Sequence, residues 1–210
     1  MPLVRENSQL YEVIKVGTIS GQTLNTSISG VTPSGGALPV SDSGSSLTVD
    51  GRAFRAAVTI TRPSNTTAYT AGDVVGSTSG SAIITLPSIG PSGGYVLFQS
   101  VRLLIGSTSV PSGMAAFRLH LYTATPTAIA DNSPFDLLSG EVANYAGYID
   151  LPAPQDLGST LFTQADYCGT AIKLATASTS LFAELETRGA FTPASATVFD
   201  LRVMTLEAGL

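Results

Sequence analysis

From Ala53 onward, apolar and polar residues alternate in short runs cut off by proline, glycine and turn residues. Phe54, Ala56, Val58 and Ile60 fall on one face of an extended segment, and Arg55, Ala57, Thr59 and Thr61 on the other. This period of two predicts a half-buried strand. Arg62-Pro63 ends it, because proline has no N–H to give a central ladder. Val74-Val75 follows a Gly72-Asp73 turn, and Ala82 to Leu86 is a short strand stopped by Pro87. Tyr95 to Ile105 predicts a long strand with Val101, Leu103 and Ile105 inward and Arg102 between them. Phe117, Leu119 and Leu121 alternate with Arg118, His120 and Tyr122. Tyr148 to Leu151, Thr170 to Leu174, Leu181 to Thr187 and Thr197 to Glu207 complete the series. Ser133 as N-cap and Pro134 at the first helical position predict one helical turn over Phe135 to Leu138. Asp156 to Gly169 is ambiguous.

The sum is about nine or ten short strands and no helical pattern of three turns, which predicts an all-β sandwich or barrel. Two facing sheets of a jelly roll fit the strand number. An immunoglobulin-like sandwich has fewer strands and often a core tryptophan, which this chain lacks.

Residues 1–50 read differently. Leu10, Glu12 and Ile14 alternate with Tyr11, Val13 and Lys15, compatible with a strand, with a short helix as the rival reading. Gly30 to Gly44 is a linker by its glycine, proline and serine content. Leu47 to Val49 followed by Asp50-Gly51 is a strand-and-turn signal. The expected organisation is an extended N-terminal arm and linker over residues 1–50 and a jelly-roll sandwich over 51–210. The arm is too poor in large apolar residues to offset its own ordering entropy, so it is expected to order where a partner covers it.

Hydrophobic residues make up 43% of the chain, enough for a core. Charged residues make up only 12%, about half the usual share, so hydroxyls and backbone solvate the surface. The net charge is −5 and no window gathers a basic stripe, which disfavours nucleic acid as a partner. With one cysteine, Cys168, and one histidine, His120, neither an internal disulfide nor a Cys/His metal site can form. No cofactor is expected. No apolar run approaches the roughly 18 residues of a membrane-spanning helix, so no membrane partner is expected. Charges within the N-terminal stretch argue against a signal peptide.

Few residues suggest chemistry. Gly90-Pro91-Ser92-Gly93-Gly94 matches a nucleophile-elbow string, but the elbow needs a helix after the serine, and here a strand follows. His120 is the only imidazole base, and reads as a surface or interface histidine on an outer sheet face. Glu184 and Glu186 share one strand face; paired carboxylates hydrolyse sugars, whereas a solvated inert pair is the commoner case. Cys168 reads as a small buried hydrophobe. Asn25-Thr26-Ser27 and Asn65-Thr66-Thr67 are glycosylation sequons that carry little weight without a secretory signal. Tyr122, Tyr145 and Tyr148, on polar faces beside His120, suggest a subunit-contact patch more than a sugar-binding one, since aromatics are enriched at interfaces.

Val58-Thr59-Ile60-Thr61-Arg62-Pro63, then Tyr69-Thr70-Ala71-Gly72-Asp73-Val74-Val75-Gly76, resembles structural proteins of tailed bacteriophages. Phe117 to Tyr122, Asp131-Asn132-Ser133-Pro134-Phe135 and Tyr145 to Ile149 continue the resemblance, which spans about residues 54–207 and leaves out the arm. The family is that of capsid decoration, or cement, proteins and related head-spike proteins. The resemblance implies a non-enzymatic jelly roll on the outer face of the virion, bound between subunits of the major capsid protein. It also implies a homo-oligomer, trimer first and dimer second. The expected capsid contact is the arm, through Leu3, Val4, Leu10, Tyr11, Val13 and Ile14. The alternative is a receptor- or glycan-binding module of a head fibre or tail tip, since one jelly roll serves both roles. A hydrolase of host polysaccharide through Glu184 and Glu186 is a third reading.

Overall fold

The computed structural model describes residues 3–6, 9–12, 52–77, 82–166 and 168–208. Contacts divide the chain into two units, Met1–Thr48 and Val49–Leu210. In the first, β1 (Leu3–Glu6) and β2 (Gln9–Glu12) form an antiparallel hairpin in which Leu3 faces Glu12 and Val4 faces Tyr11. Val13, Ile14, the Gly30–Gly44 linker and the Leu47–Gly51 turn lie outside the described residues.

The second unit is all-β. One sheet runs β3 (Ala53–Thr61), β13 (Val198–Ala208), β6 (Tyr95–Ile105), β10 (Leu161–Asp166) and β9 (Gln155–Asp156), with β11 (Ala171–Lys173) also on β6. The other runs β4 (Val74–Val75), β12 (Leu181–Thr187), β7 (Phe117–Tyr122) and β8 (Tyr145–Leu151), with β5 (Ile84–Leu86) also on β12. The pairings are nested. The first strand of the body pairs with the last (β3 with β13), β4 and β5 with β12, β6 with β10 and β11, and β7 with its neighbour β8. That nesting is a double hairpin rolled into two facing antiparallel sheets, the jelly roll.

The inward sets chosen by alternation form the core. Val101, Leu103 and Ile105 of β6, Leu119 and Leu121 of β7 and Leu201 of β13 are fully buried. Phe117 sits edge-on to both Phe191 (6.3 Å) and Phe199 (6.1 Å), joining the two sheets at one end. β6 and β12 begin and end where the pattern predicts, and β10 resolves the ambiguous Asp156 to Gly169 stretch. Gly90 to Gly94 leads into β6, a strand and not a helix.

The predicted helical turn over Phe135 to Leu138 does not form. Its backbone is used by the neighbouring strand instead: Val74 N–H donates to Ser133 O (2.9 Å) and Phe135 N–H to Gly72 O (2.8 Å), with a bridge between Asp73 and Pro134. Partners about sixty residues away in sequence outweigh the local capping signal for these groups.

Candidate functional site

Two neighbouring strings, Arg62-Pro63 and Tyr69 to Gly76, meet the distant Asp131 to Pro134 in space. Arg62, directly after β3, is fully buried. Its Nε donates to the Tyr69 hydroxyl (2.5 Å), and its Nη2 pairs with Asp131 Oδ2 (3.0 Å). Tyr69 in turn donates to Asp131 Oδ1 (2.6 Å), which also accepts from Gly76 N–H (2.9 Å). The guanidinium lies 4.6 Å over the Tyr69 ring. Burial and the adjacent carboxylate push the Tyr69 phenol well above its usual pKa. A Cβ at Gly76 would stand 2.8 Å from Asp131 atoms, so the close approach requires glycine there. Asp73 completes the corner by accepting from Thr70 N–H (2.6 Å). Arg-Pro, Tyr-x-Ala-Gly-Asp and Asp-Asn-Ser-Pro are thus three sides of one buried clamp.

A second polar cluster lies beside it, on the face of β7 and β12 turned away from the core. Sequence predicts that face as solvated, and the structure corrects this. His120 is 3% exposed, Tyr122 0%, Glu184 1% and Glu186 4%. The connection between β7 and β8 folds back over them. Phe135 stacks on the His120 ring at 3.6 Å and 10°. His120 Nε2 lies 2.9 Å from Glu186 Oε2 and Nδ1 lies 2.9 Å from the Tyr145 hydroxyl. Arg188 Nη1 donates to the other Glu186 oxygen (2.6 Å). A carboxylate that accepts on both oxygens leaves Nε2 as donor and Nδ1 as acceptor from Tyr145. Burial lowers the His120 pKa, although Glu186 opposes the shift. The imidazole is committed at both nitrogens and covered on one ring face, so no nitrogen is open to a substrate proton. Tyr122 donates to Glu184 Oε2 (3.1 Å), and burial raises the Glu184 pKa. Its Oε1 has no partner among the described residues. Glu184 and Glu186 are therefore divided between two networks and are not a facing acid/base pair.

Among the aromatic residues named above, Tyr148 reaches solvent most fully, at 48% exposure. Arg118 lies 3.7 Å over its ring and pairs with Asp150 through Nε (2.7 Å) and Nη2 (3.0 Å). That two-pronged bond holds the Asp150 carboxyl below its usual pKa. Tyr145 is half-buried, its phenol raised by burial. The buried His120 and Tyr122 leave almost no surface for a partner, so the exposed edge of this cluster is Tyr148, Arg118 and Asp150. Leu3, Val4, Leu10 and Tyr11 lie on the β1–β2 hairpin. Cys168 is half-buried and packs against the core. Among the described residues, no three His, Cys, Asp or Glu side chains cluster as metal ligands, and no helix is long and apolar enough to cross a membrane.

Sequence reasoning missed Arg62 and Asp131 as a buried pair. The available signal was an arginine wedged between a strand and a proline.

The strand order and the buried clamp define a jelly-roll protein with a polar corner. No known family matches the chain, and no curated protein matches it. Among solved structures, it is similar to a chain of the Israeli acute paralysis virus full particle heated to 63 degrees, at 16% identity and a TM-score of 0.29, covering 88% of this chain and 82% of that one. Chains of the native Kashmir bee virus virion are similar at neutral pH (16% identity, TM-score 0.28) and acidic pH (17%, 0.27), each covering 98% of this chain and 88% of that one. Likeness this distant carries no conclusion about function.

Proposed function

We infer that the chain is a structural virion protein that decorates and stabilises the outer surface of a tailed-phage capsid by binding between major capsid protein subunits. The observation that supports this most is the clamp. Three of the strings that resemble phage structural proteins pair Arg62 with Tyr69 and Asp131, so that part of the resemblance describes one three-dimensional corner of a jelly roll. A low-charge β-sandwich makes a rigid body for such a role, and a symmetric oligomer, trimer before dimer, multiplies weak contacts by avidity. The arm, through Leu3, Val4, Leu10, Tyr11, Val13 and Ile14, is the proposed capsid contact. Tyr148 and the half-buried Tyr145 are the proposed subunit contact.

The test is the oligomeric mass of the purified protein together with its binding to empty and expanded capsids of its own phage. A trimer that saturates expanded heads at a capsid-symmetric stoichiometry supports decoration. Binding to host cells without binding to capsids overturns it in favour of a receptor-binding module. Deletion of residues 1–30 is expected to abolish capsid binding; unchanged binding removes the arm from the contact.

A further inference from the structure

The outward face of the first sheet carries a cluster of arginines that the virion reading leaves unused. On β13, Arg202 stands directly opposite Arg102 of β6. Arg55 of β3 faces Met204, two residues along from the Ala57–Arg202 pair. Opposed cross-strand residues lie about 5 Å apart, so the guanidinium stems share one patch. They line a depression of about 360 Å³ with Ala57, Ser100 and Met204. Like charges directly opposite in a sheet destabilise it. Arg202 is drawn toward Asp200 (2.6 Å), whereas Arg55 and Arg102, both exposed, have no carboxylate partner among the described residues. The other body arginines are occupied: Arg62 by Asp131, Arg118 by Asp150, Arg188 by Glu186 and Arg52 over the Phe54 ring. In an acidic chain, two guanidiniums without a carboxylate partner, beside a third that shares a single partly exposed one, mark a site for an anion.

We propose that this face is a docking surface for a protein segment bearing clustered carboxylates, with Arg102 and Arg202 as its anchors and Arg55 at its edge. Guanidiniums match carboxylates in two-pronged geometry. The surround favours protein over nucleic acid. Half-buried Leu104, Phe162, Met204 and Leu206 offer apolar contact on the same face, and Asp200 and Asp166 interrupt the positive charge. A nucleic-acid track needs a longer run of cations than three arginines. The proposal does not rest on the virion reading, and it is tested without capsids.

The experiment is fluorescence anisotropy of a labelled hexapeptide alternating glutamate and leucine, titrated with the full chain, beside an oligothymidylate of equal charge. The peptide is expected to bind, and to bind at least about tenfold more weakly to the Arg102→Gln/Arg202→Gln double variant, as loss of charge-assisted bonds implies. Asp200→Asn frees Arg202 and is expected to tighten binding. Unchanged unfolding midpoints keep both effects local. A peptide that fails to bind, that binds wild type and double variant alike, or that binds more weakly than the oligothymidylate overturns the proposal.

Discussion

Asp131→Ala tests the buried clamp most directly. Asp131 neutralises Arg62, whose side chain is 0% exposed while its own is 8% exposed. It also accepts from the Tyr69 hydroxyl at 2.6 Å and from Gly76 N–H at 2.9 Å. Removing it takes the counter-charge from the guanidinium, which keeps only Tyr69 and long bonds to Asn65 (3.4 and 3.5 Å), and the acceptor from a phenol and a backbone amide. Breaking a buried ion pair from one side costs about 3–5 kcal/mol, because the remaining charge cannot reach water. For a body of this size each kcal/mol lowers Tm by roughly 2–4 °C, so the expected loss is roughly 6–20 °C. Differential scanning calorimetry measures it, and urea unfolding with an unchanged m-value confirms that stability alone has changed. Arg62→Met combined with Asp131→Leu removes both charges and is expected to recover part of the loss, the share due to the stranded charge, while the Tyr69 hydroxyl and Gly76 N–H stay without an acceptor. If Asp131→Ala costs less than about 1 kcal/mol, as exposed pairs do, Arg62 is solvated and the clamp is not a buried element.

Three further outcomes follow from the same geometry. The His120 pKa is lowered by burial from 6.5, so below that value the unfolded chain takes up a proton that the fold refuses. Its contribution to stability is expected to fall as pH drops through 6.5, with a slope of at most about 1.4 kcal/mol per pH unit, and to vanish in a stable His120→Gln variant compared by urea midpoints. Glu184 shifts the other way, its pKa raised by burial from 4.5, so the fold binds its proton first as pH falls and gains stability down to 4.5. Glu184→Gln is expected to be as stable as wild type or more so at pH 7.5, and that advantage should shrink toward pH 4.5; an advantage that grows on acidification refutes the assignment. Gly113 has φ +85° and its Cβ would lie 2.0 Å from Ala190 O, whereas Gly158 at φ +103° has nothing within 4 Å. Gly113→Ala is therefore expected to cost clearly more in thermal unfolding than Gly158→Ala, by about 1–3 kcal/mol against the smaller cost of the dihedral alone.

Much of the body was legible from the chain alone, because strand periodicity is local. Val101, Leu103 and Ile105 face the core because every second residue of a strand points the same way, and Pro63 and Pro87 stop strands because they lack an N–H. The nested pairing of β3 with β13 and β4 with β12 was not legible in detail, since partners more than a hundred residues apart leave no local trace. Nor was the failure of the Phe135 helical turn, where Ser133 and Pro134 carry a good capping signal and lose to hydrogen bonds given to the Gly72 carbonyl and received from the Val74 N–H. His120, Tyr122, Glu184 and Glu186 show the same limit. Alternation separates the two faces of a strand, and it correctly places these four opposite the core. Whether that opposite face meets water or a folded-back connection depends on where Phe135 and Tyr145 come to rest. The chain by itself determined the strands and their inward faces; only the tertiary structure decided which polar residues are buried, because burial is a property of what packs on top and not of the residue's own neighbours in sequence.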